Sequence, residues 1–283
     1  MNTFVSKFGG TSLASSKEMR YVEQIASKRE RRFIVVSAPG KRFYGDEKIT
    51  DMLISCFNLA KEKQDFSKIF NKIKDRYIEI ANDLHIDIDL DSEFEKIKEN
   101  LALTPNFDYV VSRGEYLCGL IMSKYLNRKF VDASDFLVLS NSGRVNLNES
   151  QILFDNLFTK DGYYVVPGFY GRTKKGDIKT FPRGGSDITG AIVSYLSNAL
   201  KYENFTDVDG VFDIDPNFSK LAQKINFLTY DEMLKISLSG AKVLHPDCIK
   251  YLTKKNIVLN IRNTFNLIDK GTIVAYKENK KVK

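Results

Sequence analysis

Two glycine pairs in this chain each sit beside a lone cation: Lys7, two residues before Gly9-Gly10, and Arg183, immediately before Gly184-Gly185. Both pairs fall between an apolar run and a helical pattern. Backbone N–H groups at such strand-to-helix turns hold phosphate oxygens, helped by the helix dipole, and glycine lets the backbone approach closely. Neither loop has the Gly-Lys-Ser/Thr of a P-loop or the GxGxxG of a dinucleotide fold, and taken singly each reads equally well as a tight turn. The acidic stretch Thr206-Asp207-Val208-Asp209-Gly210, with Asp213 and Asp215-Pro216 beyond it, lacks EF-hand spacing. Asp-Gly and Asp-Pro pairs form turns, and we read this one as a turn that also touches a ligand. No GxSxG, HRD or HExxH occurs, and His245 precedes Pro246 as a packed turn histidine would, so hydrolase and zinc chemistry are not indicated. Cys56, Cys118 and Cys248 form no CxxC and the two histidines lie far apart, which suggests neither a disulfide framework nor a zinc centre.

The secondary structure around these residues alternates. Thr3 to Phe8 reads as a short strand, and Ser15-x-x-Glu18 as a capping box for a helix with Met19, Val22, Ile25 and Ala26 on one face. Phe33 to Val36 is the continuous apolar run of a parallel strand buried on both sides, ended by Pro39-Gly40. Between about Asp65 and Asn100 the chain is charged but keeps Ile69, Ile73, Tyr77, Ile80 and Leu84 at helical spacing, a helical excursion with no domain boundary. Phe107 to Val111 reads as a strand leading into a helix from Glu115 to Tyr125. Lys129 to Ala133, Phe136 to Leu139 and Tyr163 to Val166 read as further strands. Phe169 to Thr173 and Asp177 to Phe181 flank Lys174-Lys175-Gly176 as a hairpin. Ile188, Ala191, Ile192, Tyr195, Leu196 and Ala199 form a strong helical stripe behind Gly184-Gly185. A strand from Asn204 to Thr206, helices within Tyr230 to Lys254 and a strand from Ile257 to Arg262 complete the pattern. The expectation is an α/β three-layer sandwich with a largely parallel central sheet and ligands at the strand C-terminal ends.

At 283 residues, 43% hydrophobic and 28% charged, the composition is that of a globular chain with one large core or two modest ones. The formal charge of +7 is concentrated in Lys28 to Arg32 and the tail from Lys277 to Lys283. We read these as a solvated helix end and a frayed tail, and expect no nucleic-acid partner. No apolar run approaches the roughly 18 residues of a membrane span, and the N-terminus has no signal-peptide core, so no membrane partner and a cytoplasmic location are expected.

In combination these segments are specific. Lys7-Phe8-Gly9-Gly10-Thr11-Ser12, Ser112-Arg113-Gly114-Glu115, Arg183-Gly184-Gly185-Ser186-Asp187, Thr206-Asp207-Val208-Asp209-Gly210 and Gly240-Ala241-Lys242-Val243-Leu244-His245-Pro246 occur in this order. The set, with Ile261-Arg262-Asn263-Thr264-Phe265-Asn266, resembles the catalytic domain of aspartate kinases from Thr3 to about Thr272.

The resemblance implies the amino-acid-kinase (carbamate-kinase-like) fold and the reaction L-aspartate + ATP → 4-phospho-L-aspartate + ADP with Mg²⁺, the entry to lysine, threonine and methionine. It also implies that residues 1–283 form one catalytic domain without the C-terminal ACT domains that usually follow. The N-terminal part would bind the amino acid, the part from about residue 200 the nucleotide, and a homodimer is left open. It assigns Lys7, Gly9 and Gly10 to the phosphates, and Asp187 to orienting Lys7 or the Mg²⁺. Arg183 would take the aspartate α-carboxylate and Glu115 its ammonium, with Ser37, Thr50, Phe169 and Ser186 lining the same pocket. Thr206, Asp207, Phe212 and Lys242 would meet the nucleotide. Phe212 and Asn217 stand where the family commonly has Tyr and Arg, and Pro182 where a glycine often precedes the Arg-Gly-Gly element. The residues leave two alternatives: a related kinase of another acidic substrate, such as N-acetylglutamate, and a degenerate ligand-binding or partner subunit.

Overall fold

The computed structural model describes residues 2–182, 184–214, 219, 221–239 and 243–276. The first half runs β1 (Phe4–Phe8), α1 (Ser16–Ala26), β2 (Arg31–Val36), α2 (Ile49–Lys61), α3 (Ser67–Asp83), α4 (Asp91–Leu103) and α5 (Phe107–Tyr125). Then come β3 (Lys129–Phe130), β4 (Val138–Leu139), α6 (Leu147–Leu157), β5 (Tyr164–Pro167), β6 (Tyr170–Thr173), β7 (Ile178–Thr180) and α7 (Gly185–Leu196). The last part is β8 (Lys201–Thr206), β9 (Val211–Phe212), β10 (Lys224–Ile225), β11 (Phe227–Leu228), α8 (Tyr230–Leu238), α9 (Ile249–Lys254), β12 (Val258–Asn263) and β13 (Thr272–Val274).

Eight strands form the main sheet in the order β11-β13-β12-β8-β1-β2-β5-β3. All neighbours are parallel except β12 and β13. The expected largely parallel sheet is therefore present, with β1 at its centre. Strand periodicity distributes the core to both faces. Val5, Phe33, Val35, Tyr164, Val166, Tyr202, Leu259 and Ile261 pack with residues of α6, α7, α8 and α9. Phe8, Ile34, Val36, Val165 and Phe205 pack with residues of α1 through α5. Three layers follow from that alternation.

Four sequence readings are corrected, the first being the solvated helix end at Lys28 to Arg32, where Arg31 and Arg32 are instead buried in β2. Phe107 to Val111 is not a strand but the first turns of α5, whose cap Asn106 accepts the Tyr109 amide at 3.0 Å. A short apolar run does not distinguish helix from strand by periodicity, and the Asn cap with Asp108 in the first turn was the deciding signal. The strand expected at Lys129 to Ala133 stops at Phe130, because Asp132 caps a 3₁₀ turn over Ala133–Asp135. Phe136 to Leu139 supplies only β4, which joins β6 and β7 in a separate three-stranded sheet. The hairpin around Gly176 is present as the antiparallel β6–β7 pair. The helical excursion is α3 and α4, the first carrying Phe70, Ile73, Tyr77 and Ile80 into the core.

A bulge in β2 has an electrostatic role. The register shifts between Phe4↔Arg31 and Val5↔Phe33, so Arg32 is extra and Arg31 turns toward α1. There its guanidinium grips buried Glu203 at 2.6 and 2.9 Å and donates to the Ile25 carbonyl at 2.6 Å. Ser6 donates to the same carboxylate at 2.8 Å, and Arg262 stands 3.7 Å away. Burial pushes the Glu203 carboxyl upward, but Arg31, Ser6 and Arg262 outweigh it and hold the group below its usual value. Removing one partner would leave a buried charge unpaired. Arg31→Met is expected to lower the unfolding free energy by about 3–5 kcal/mol in urea titrations near neutral pH. Because the folded-state pKa of Glu203 is depressed, wild type loses this contribution as pH falls through that value, so the gap to the variant narrows in acid. A gap below about 1 kcal/mol at neutral pH would contradict the network.

Candidate active site

The C-terminal ends of β1, β2, β5 and β8 open on one side of the sheet; Gly9, Gly10, Ser37, Phe169 and Asp207 lie just beyond strand ends there, and Lys7 and Thr206 within the strands at those ends. Lys7 is the penultimate residue of β1 and nearly buried. Its Nζ lies 2.6 Å from Asp187 Oδ1. Asp187 stands in the first turn of α7, whose cap residue Gly184 has φ +88°, a left-handed conformation that glycine adopts without cost. The second oxygen of Asp187 accepts the His245 backbone N–H at 3.2 Å, and Asn204 Nδ2 approaches Oδ1 at 3.4 Å. His245 itself is the turn residue expected: its Nδ1 accepts the Asp247 amide at 3.2 Å and caps the 3₁₀ turn Pro246–Cys248.

The first glycine turn is braced backbone against backbone. The Gly9 amide donates to the Phe205 carbonyl at 3.2 Å, and the Gly40 amide to the Gly10 carbonyl at 2.8 Å. A Cβ on Gly40 would lie 2.6 Å from the Gly10 carbonyl carbon, so the loop after β2 closes on the loop after β1 only because Gly40 has no side chain. Gly9 thus has its amide engaged within the protein, which moves the available donor to Gly10. Arg76, which the sequence reading missed, holds both loops. From α3 its buried guanidinium donates to the carbonyls of Ala14 at 2.9 Å, Glu47 at 2.8 Å and Gly40. In the sequence it was one more cation in a charged helix, and only its burial on the face of Ile73 and Tyr77 could have marked it.

Glu115 sits on α5, buried, with Oε2 making no hydrogen bond among the described residues. Burial pushes its carboxyl up to about 8, against the pull of the Ala38 and Glu115 amides, Arg113 and Lys7. Arg113, its neighbour in sequence, turns away into a cage of Tyr109, Tyr116 and Tyr170, 4.6, 4.4 and 5.3 Å from the ring centres.

Phe169 and Ser186 are knitted to the start of α7. Phe169 holds φ +80°, an uncommon conformation for a bulky residue. Its amide donates to Thr189 Oγ1 at 3.0 Å and its carbonyl accepts the Phe181 amide at 2.7 Å. Ser186 is buried against Gly168, where a Cβ would come within 2.7 Å of the serine Cβ. Ser37, half-buried, follows β2 with its amide on the Phe8 carbonyl at 3.2 Å. Thr50 is the second residue of α2 and not its cap, which is Lys48.

At the end of β8, Thr206 Oγ1 donates to Asp207 Oδ1 at 3.1 Å. Asp209, unassigned by the sequence reading, accepts the side-chain amides of Asn263 and Asn266 at 2.9 and 3.0 Å and so ties this loop to the end of β12. Phe212 lies on the separate β9–β10 ribbon, half-buried. Arg183, Lys242, Asp215-Pro216 and Asn217 lie outside the described residues. The geometry therefore unites Lys7, Asp187 and Gly9-Gly10. It gives Thr50 no hydrogen bond to them among the described residues and sets Phe212 apart.

Residues 2–263 match the Amino acid kinase family. The chain is 36% identical to Aspartokinase 3 of Bacillus subtilis, over 96% of this chain and 63% of that protein. The crystal structure of Clostridium acetobutylicum aspartate kinase superposes with a TM-score of 0.91 at 40% identity, covering 99% of this chain and 64% of that one. Aspartokinase III of E. coli, solved in complex with aspartate and ADP, gives 0.85 at 25% identity, over 98% of this chain and 65% of that one. The chain thus spans just under two thirds of these relatives. With the family match running through both glycine turns and the strands that carry Lys7 and Asn204, this chain belongs to the amino acid kinase family.

Proposed function

We propose that this chain is the catalytic unit of an aspartate kinase, transferring the γ-phosphoryl group of ATP to the side-chain carboxylate of L-aspartate. The observation that carries the reading is the Lys7–Asp187 pair between two glycine turns, with the Glu115 carboxyl, its Oε2 without a partner among the described residues, close enough to feel the Lys7 charge. Its similarity to aspartokinases of B. subtilis, C. acetobutylicum and E. coli supports the choice of substrate.

The chemistry asks little of the protein beyond charge and placement. An aspartate carboxylate is ionised at neutral pH, so the nucleophile needs no general base. One of its oxygens bonds to the γ-phosphorus while the bond to the β,γ-bridging oxygen breaks and that electron pair leaves on ADP. No proton moves. Lys7 and the Gly10 amide stabilise the oxygens of the migrating group, and Asp187 aims Lys7. Mg²⁺, when bound, neutralises phosphate charge. Among the described residues no group of three His, Cys, Asp or Glu side chains is placed to hold a metal, and both Asp187 oxygens already accept bonds. That donor set suits a cation carried on the nucleotide phosphates, with Asp187 beside it. Arg183 suits the α-carboxylate, a bidentate partner. Ser37, Thr50, Phe169 and Ser186 would shape the acid pocket. Thr206, Asp207, Phe212 and Lys242 would form the nucleotide side.

Glu115 gives the substrate choice its electrostatic reason. An α-ammonium group supplies the partner its buried carboxyl lacks, and an N-acylated acid does not. Hydroxylamine trapping with Mg-ATP should therefore yield the hydroxamate from aspartate and not from N-acetylglutamate. Equal turnover of the N-acyl acid refutes the assignment, and no product from any acid favours a non-catalytic subunit.

Lys7→Ala should lower kcat by roughly 10²- to 10³-fold with an unchanged circular dichroism spectrum. An unchanged kcat would remove Lys7 from the chemistry.

Because the Glu115 carboxyl lies at about 8, well above its usual value, it is protonated in the empty pocket at neutral pH. The wild-type KM for aspartate should fall as pH rises toward 8, and Glu115→Gln should raise KM and abolish that slope. The raised folded-state pKa also means that wild type loses stability as pH rises from the unfolded value toward 8. The glutamine variant should thus melt above wild type in mild alkali and level with it near about pH 4.5. A melting difference independent of pH would show that Glu115 is not held neutral by burial.

A further inference from the structure

We infer that Asn204 is a positioning residue for the Lys7–Asp187 pair. It lies on β8 directly opposite Lys7 in the parallel register and opposite Ile261 of β12 on its other side. The residue is 1% exposed. Its Nδ2 faces the same Asp187 oxygen that the Lys7 ammonium holds, at 3.4 Å, while its buried Oδ1 has no donor among the described residues. Tyr202, two residues earlier on the same face, donates its hydroxyl to the Asp187 backbone carbonyl at 3.1 Å. One strand therefore reaches Asp187 at both main chain and side chain. Other described groups around the pair include the His245 amide on Asp187 Oδ2, the buried Cys248 thiol and the Glu115 carboxyl, which feels the Lys7 charge.

A buried amide with one end unpaired costs stability that an apolar side chain of the same size would not. The arrangement makes sense if the pair must move. An ammonium has three donors, and Asp187 takes one. When Lys7 turns toward a phosphate, the Asn204 amide N–H stays on Asp187 and keeps the carboxylate from following. The free Oδ1 on the neighbouring strand offers the ammonium a second, neutral acceptor. A neutral acceptor holds the ammonium without cancelling the charge that the phosphoryl group needs, which a second carboxylate would do.

The kinetic arm of the test rests on the aspartate kinase reading, and the spectroscopic arm does not. Asn204→Leu should lower kcat about tenfold at saturating substrates. Its KM values for both substrates should stay within about twofold and its melting temperature should be equal or higher. Asn204→Asp, which keeps the shape, should lower kcat further, by about a hundredfold, because the introduced carboxylate competes with phosphate for Lys7. In protein labelled with [13Cε]lysine, the Lys7 resonance, assigned by its absence from Lys7→Ala, should shift in both variants whether or not the enzyme turns over. A kcat within twofold of wild type in the leucine variant, a kcat loss matched by a fall in melting temperature, or an unmoved Lys7 resonance overturns the proposal. If the leucine variant does not fold, the aspartate variant decides on the same criteria. A wild type that phosphorylates no acid defeats the aspartate kinase reading alone, and the Lys7 resonance then decides for Asn204.

Discussion

Parallel pairing of β1 between β2 and β8 sets Lys7 opposite Val35 on one side and Asn204 on the other, and strand periodicity turns Lys7 to the face that α7 covers. Only in that register does the ammonium meet Asp187 at 2.6 Å. A slip of one residue would send Lys7 to the opposite face, beside Phe8 and Phe205 and the Glu203 carboxylate already held by Arg31 and Ser6, and away from Asp187. The Phe8–Phe205 stack, with centroids 4.9 Å apart, and the Arg31–Glu203 pair beside it hold that register from below. The stability of the sheet and the geometry of the site are one constraint seen from two faces.

The charges inside the protein divide into those that are matched and those that wait. Glu203 is gripped by Arg31, Ser6 and Arg262, and Arg76 is spent on three backbone carbonyls. Such groups build shape: their charge is already engaged by neighbours, even though Arg76 Nε has no partner among the described residues, and little is left to offer a ligand. Glu115 Oε2 and Asn204 Oδ1 are buried and, among the described residues, unmatched. Buried side-chain atoms of Tyr170, Thr173, Ser237 and Asn260 are unpaired there as well; what sets Glu115 and Asn204 apart is that they act on the Lys7–Asp187 pair. The strained Phe169 at the rim of α7 belongs to the same region and not to the structural core.

The rigid part of the site is assembled from backbone. Gly10 against Gly40 and Gly168 against Ser186 bring separate chain segments together where glycine has no Cβ, and the His245 backbone amide fixes the Asp187 carboxylate. Side chains then only need to be the right length. This explains how a short motif at each of several loops suffices, and why none is diagnostic in isolation.

The class of structure and the outline of the site were legible along the chain. Apolar runs such as Phe33 to Val36 and the stripe from Ile188 to Ala199 declare buried strands and a helix through local periodicity, and the glycine turns with their cations declare where anions go. Glu115 and Asp187 were legible as parts of ordered motifs, not from their own surroundings. Whatever depends on neighbours distant in the chain waited for the folded molecule. Phe107 to Val111 became helix because the Asn106 cap and packing on α2 and β7 outweighed a β-branched run. Arg76 and Asp209 gained their roles from carbonyls and amides far away in sequence. Asn204 reads in sequence as one polar residue in a short strand, and its meaning comes from Lys7, the residue that the parallel register sets opposite it. Periodicity is local and can be read residue by residue, whereas register, burial and the partner of a charge are properties of the folded whole.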